Sequence, residues 1–123
     1  HARAFATNDY ASLLRWSPEA AADLRSRGWD QIADRYDVDV GAALLNLGRF
    51  EEHDEHVTAL ADRFRVSGPP TLVNWTLMLL GYSASFQGRQ DIADEYFEEA
   101  IAVDLPVRTH TPTGPLAARA ATR

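Results

Sequence analysis

A chain of 123 residues with 46% apolar and 24% charged side chains has the composition of one globular domain, which excludes disorder as a whole. The lack of cysteine removes disulfides, thiolate metal sites and Cys nucleophiles, and no apolar run is longer than the four residues of Leu77 to Leu80, far short of a membrane span. Eighteen acidic residues against 12 basic ones, all Arg, give a net charge of −6 without any basic stripe, so nucleic acid is set aside as a partner, and membrane with it.

Apolar residues recur at the helical period throughout, with almost no strand-like alternation. Asn8 or Asp9 is placed to cap a short helix carrying Tyr10, Leu13 and Leu14. Ser17-Pro18-Glu19 then reads as the start of a second helix: Ser supplies a cap oxygen, and Pro at the first helical position loses no hydrogen bond. That helix passes Leu24 and stops at Gly28, suited to a left-handed cap. Asp30 caps a third, with the stripe Ile32, Tyr36, Val40, Ala43, Leu44 and Leu47, an interruption at Asp37 to Val40, and an end at Gly48. A fourth spans roughly Phe50 to Arg65, with Phe50, Val57, Leu60, Ala61 and Phe64 on its inner face, and Ser67-Gly68-Pro69-Pro70 breaks it. Two more, about Leu72 to Phe86 and Asp91 to Val103, flank Gln87-Gly88-Arg89, and Pro106 closes the last. His110 to Pro115 reads as a loop and Pro115 to Thr122 as the opening of a further helix.

The expectation is a single all-α domain of about six helices. Residues 1–29 hold N-terminal helices, 30–66 one hairpin, 71–106 a second, and 107–123 a tail. The start at His1 and the unfinished last helix suggest a processed chain or a piece of a larger regulator, and no secretory leader is visible, which points to the cytoplasm.

Two hairpin turns match each other. Gly48-Arg49-x-Glu51-x-x-Asp54-Glu55 repeats as Gly88-Arg89-x-Asp91-x-x-Asp94-Glu95, an offset of 40 residues. Glycine supplies the positive φ of a tight turn between antiparallel helices, and the acidic residues fall where the next helix's macrodipole favours negative charge. In the second unit Leu77, Leu80 and Gly81 give a large–large–small order, and Ala93, Phe97 and Ala100 a small–aromatic–small order. From Asn74 to Pro106 this pattern resembles the tetratricopeptide-repeat family. Ala84 stands where that family usually has Tyr, and Pro106 lies one place beyond its terminal Pro. The preceding unit keeps Gly41, Gly48 and Leu60 but has His53 and Val57 at the small and aromatic positions. Its repeat is also longer than the family's ~34 residues, expanded through Arg65 to Thr71. Similar divergent repeats occur in actinobacterial signalling proteins, including the helical domain of bacterial transcriptional activators. The resemblance implies a right-handed superhelix of stacked antiparallel hairpins that holds another protein and does not catalyse a reaction.

Trp75, Met78, Tyr82 and Phe86 recur at intervals of three or four, beside the face that Leu77, Leu80 and Gly81 already occupy. A helix apolar on nearly all sides must be covered on all sides, either by the preceding helices or by a partner. In the family this face lines the concave groove. Trp75, Met78, Tyr82 and Phe86 are therefore the expected contacts for a protein or peptide segment or a second copy of the chain, with Arg35 at the comparable place in the first unit to meet a carboxylate.

One segment has metal-ligand residue types: Glu51-Glu52-His53-Asp54-Glu55-His56, in which His53 and His56 share a helix face and Glu52 lies a turn before His56. A metal-dependent hydrolase built on it is the rival reading. It needs further ligands from other helices, and the zinc-protease order is missing. The segment reads instead as a solvated acidic face with incidental histidines. No nucleophile elbow or phosphate loop is present, so no catalytic residue, metal or cofactor is expected.

Overall fold

The computed structural model describes residues 9–104, and among them all regular structure is helical. The helices are α1 Tyr10–Ser26, α2 Asp30–Asn46, α3 Phe50–Ser67, α4 Pro70–Phe86 and α5 Gln90–Asp104, one beginning every 20 residues. Gly28, Gly48 and Gly88 terminate α1, α2 and α4 at φ +80°, +74° and +77°. In each turn the next N–H reaches back to a carbonyl of the ending helix: Trp29 to Leu24 at 2.9 Å, Arg49 to Leu44 at 3.0 Å and Arg89 to Ala84 at 2.8 Å. This is the Schellman closure expected at these glycines. The α3–α4 link is built differently, with Pro69 extended and Pro70 at the first position of α4.

Among the described residues five helices stand where about six were expected, because the first two are one. Asp9, one of the two anticipated caps, accepts the Ser12 N–H at 3.2 Å, but the helix then continues through Ser17 and Pro18. Pro18 cannot donate to the Leu14 carbonyl, a loss inside a helix. Leu13 and Ala21 are buried on either side of it, and an unbroken helix keeps both in the core. α2 likewise runs through Asp37 to Val40 without interruption. Arg25 of α1 binds Asp37 and, at 2.8 Å, Asp34, while Val38 and Val40 are buried, so tertiary contacts override the weak local propensity. Asp30 is the first residue of α2 and not its cap; the cap position is Trp29, with no side-chain hydrogen bond. Ile32 and Leu47, expected in the core stripe, are 48% and 42% exposed. The buried position is Ala33, one place on, which turns Ile32 outward.

The chain forms two compact units, one ending at His56 and the other beginning at Val57. In the first, α1 packs on α2. In the second, α4 packs on α5, and Val57 and Ala61 of α3 meet Leu80 of α4. Of the expected inner face of α3, Val57, Leu60, Ala61 and Phe64 are buried and Phe50 is half-buried. The closest approach is at Gly81, where a Cβ would lie 2.5 Å from Cε1 of the buried Phe97. Ala93 and Ala100, a turn to either side of Phe97, are also fully buried. Asn74 Nδ2 donates to the Ala100 carbonyl at 3.2 Å, and Arg65 of α3 grips Glu99 of α5 through two bonds of 2.7 and 2.8 Å. The expected Pro106 stop, loop and further helix lie outside the described residues.

Gly81→Ala should lower the unfolding free energy by ~1–3 kcal/mol through overpacking, measured by urea denaturation. Phe97→Leu should cost less in that background than in the parent, because the smaller side chain frees the space the new methyl needs.

Candidate functional site

α4 carries no charged residue from Pro70 to Phe86, and its buried polar groups are satisfied within the fold. Thr76 Oγ1 donates back along the helix to the carbonyls of Leu72 and Val73, at 3.0 and 2.8 Å. Ser83 Oγ accepts from Gln87 Nε2 at 2.9 Å, and Asn74 reaches α5 as described. Its outward stripe of Trp75, Met78, Tyr82 and Phe86 spans ~16 Å along the helix axis. Met78 and Tyr82, in the middle, pack against the cluster of Ala84, Ala93 and Phe97. The Tyr82 ring stands edge-on to Phe97 at 5.5 Å between centroids and stacks on Phe86 at 6.4 Å. Trp75 and Phe86, at the two ends, are 38% and 64% exposed. The four α4 residues thus share one face, anchored at its centre and partly exposed at its ends. Arg35 is exposed on α2 in the other compact unit.

The acidic histidine segment divides by burial. Glu51, Glu52 and Glu55 are exposed at the start of α3, as a solvated face requires, whereas His53 is completely buried. In the 20-residue rhythm of the helices His53 occupies the place of Ala33, and in the 40-residue offset that of Ala93, both fully buried alanines. Position-matching to those alanines is the signal that identifies His53 as a core residue. Its Nδ1 lies 2.8 Å from Asp54 Oδ1. An ionised carboxylate only accepts, so Nδ1 carries the proton, and the buried Nε2 lone pair has no hydrogen-bond partner among the described residues. His56 Nε2 donates to the Asp37 carbonyl at 2.8 Å, which removes that nitrogen as a ligand. Among the described residues no group of three or more His, Asp or Glu is arranged to hold a metal ion.

Two titrations oppose each other in this unit. Burial lowers the His53 pKa below its ordinary 6.5, against the smaller upward pull of Asp54. Burial raises the Asp39 carboxyl from 3.8 to about 6, a shift that Arg35, one turn away, reduces without reversing. None of the family models, curated proteins or solved structures compared with the chain matches it.

The unfolded chain binds more protons at His53 than the folded one once the pH drops below about 6.5, so this residue's contribution to stability is lost on acidification. Asp39 has the other sign: its contribution is present at low pH and lost as the pH rises through about 6. In urea titrations across pH 4.5–8, His53→Ala should remove the acid-side loss, and Asp39→Asn should raise stability most at neutral pH.

Proposed function

We propose that the chain is a non-catalytic interaction module of the tetratricopeptide-like helix-hairpin kind, which buries a protein or peptide segment, or a second copy of itself, on the outward face of α4. The observation that carries this reading is the exposure of Trp75 and Phe86 at the ends of a face whose centre is fixed by Tyr82 against Phe97. Large aromatic side chains and Met are the residue types that concentrate in interface cores, and an uncharged helix face gains nothing from facing water. The hairpin reading draws support from Phe97 seated on Gly81, from the buried Ala93 and Ala100, and from the left-handed Gly88 between α4 and α5. Arg35 of α2 is proposed, separately, as a cationic contact of the first unit. A bacterial, cytoplasmic regulator is the setting this reading implies, as part of the same proposal.

The half-burial of Tyr82 and Met78 separates binding from folding in a test. Trp75→Ala with Phe86→Ala should leave helicity and the denaturation midpoint nearly unchanged, and should abolish both self-association in light scattering and the fluorescence enhancement of an added apolar dye. Tyr82→Ala should instead destabilise the fold by ~2 kcal/mol, since it removes an edge-on aromatic contact in the core. A double variant that unfolds would make the stripe ordinary core. One that folds and behaves like the parent in both measurements would show that the face binds nothing.

A further inference from the structure

The outward stripe of α4 reads almost the same in either direction along the helix. Trp75 and Phe86 are centred between Leu80 and Gly81, and Met78 and Tyr82 are centred on Leu80. The two centres differ by half a residue, or ~0.8 Å of helix rise. An exposed aromatic ring stands at each end, with the half-buried Met78 and Tyr82 between them. Charge singles out the same helix. Each of the other four described helices carries at least two carboxylates and α4 carries none, in a chain whose net charge is −6. Two copies of such a chain repel wherever their acidic surfaces meet, and α4 is the described helix along which they approach without that repulsion. At ~16 Å the stripe is short, which puts a contact built on it at the small end of specific interfaces, in the weak and rapidly exchanging class.

We propose that a second copy of the chain occupies this face. Two α4 helices cross antiparallel about a two-fold axis at the level of Leu80, with Trp75 of each copy against Phe86 of the other and Met78 of each against Tyr82 of the other. This rests on the reading of α4 as an interaction face and names its occupant. A two-fold axis brings together residues that lie equally far on opposite sides of it. A centred stripe is therefore what self-recognition needs, whereas a foreign peptide requires no such symmetry. Each end of the contact gains an aromatic pair, and each side of the axis sets a thioether against a ring. Identical residues stay apart, since the two copies of Trp75 lie ~16 Å from each other along the axis of the helices.

Sedimentation equilibrium on the parent chain from about 10 µM to about 1 mM should show the mass rising from one chain toward two and stopping there, because a closed two-fold interface leaves no second copy of itself open. Met78 is the single methionine, so its methyl is a unique probe. In a mixture of uniformly 13C-labelled and unlabelled parent, isotope-filtered NOEs should link that methyl to the Tyr82 ring of the other copy, and the Trp75 indole to its Phe86 ring. The chain also lacks cysteine, so Trp75→Cys and Phe86→Cys, both at exposed positions, report the register. A short bismaleimide should join the two variants when mixed at least about tenfold faster than it joins either one to itself. A parent that stays monomeric throughout, growth beyond the dimer, filtered NOEs that avoid these pairs, or self-linking as fast as the mixed reaction would each overturn the proposal. A monomeric parent whose apolar-dye fluorescence is still abolished by Trp75→Ala with Phe86→Ala loses the second copy as occupant and keeps α4 as an interaction face. A monomeric parent whose dye fluorescence ignores those substitutions loses both.

Discussion

Phe97 seated on the bare backbone of Gly81 is the contact on which the second unit depends. With no side chain at Gly81, α4 lies so close to α5 that the aromatic ring occupies the space a methyl would take. That proximity fixes the next contacts outward. Tyr82, one residue on from Gly81, leans its ring edge on Phe97, and Phe86, one turn later, stacks on Tyr82. A series of aromatic rings therefore runs from a fully buried residue to one largely in solvent. The exposed end inherits its orientation from the buried end, so under the proposed function a partner would meet side chains whose ordering is largely accomplished.

Helix ends were the most legible part of the sequence, because each is encoded by a few adjacent atoms. Asp9 as a cap and Gly28, Gly48 and Gly88 as stops required no knowledge of what packs where. Two of the misreadings share a cause, a local signal outweighed by contacts distant in sequence. Ser17-Pro18 is a good helix start in isolation, but it lies between two core residues of one helix. Asp37 to Val40 reads as a break until Arg25 arrives from α1. Ile32-Ala33-Asp34-x-Tyr36 and Ile92-Ala93-Asp94-x-Tyr96 are the same phrase 60 residues apart, and its alanine marks the buried place that His53 fills in α3. The α4 stripe was visible in its spacing. Which members anchor and which remain open was not, because that division is made by Phe97 on another helix.

The exclusive use of Arg acquires a physical role in the folded chain. Arg25 joins two carboxylates of α2, Arg65 holds both oxygens of Glu99 while also bonding Asp62, and Arg49 clasps Glu52. Arg65 and Arg49 use the planar fork of several nitrogens, which a single ammonium does not present, whereas Arg25 meets both carboxylates through Nη2 alone. In a chain with an excess of acids, every cation is thereby able to satisfy more than one acceptor atom. Replacing these residues by Lys would conserve charge and lose most of that geometry.

The absence of charge along α4 has a thermodynamic consequence. The proposed association on a face made of Trp75, Phe86 and the half-buried Met78 and Tyr82 would release no counterions from that face, so its strength would be set by the apolar area removed from water. Its signature is a negative heat-capacity change with little response to ionic strength, and salts excluded from protein surfaces strengthen it. Cooling would weaken such an interaction, which would make temperature the variable that most directly governs it.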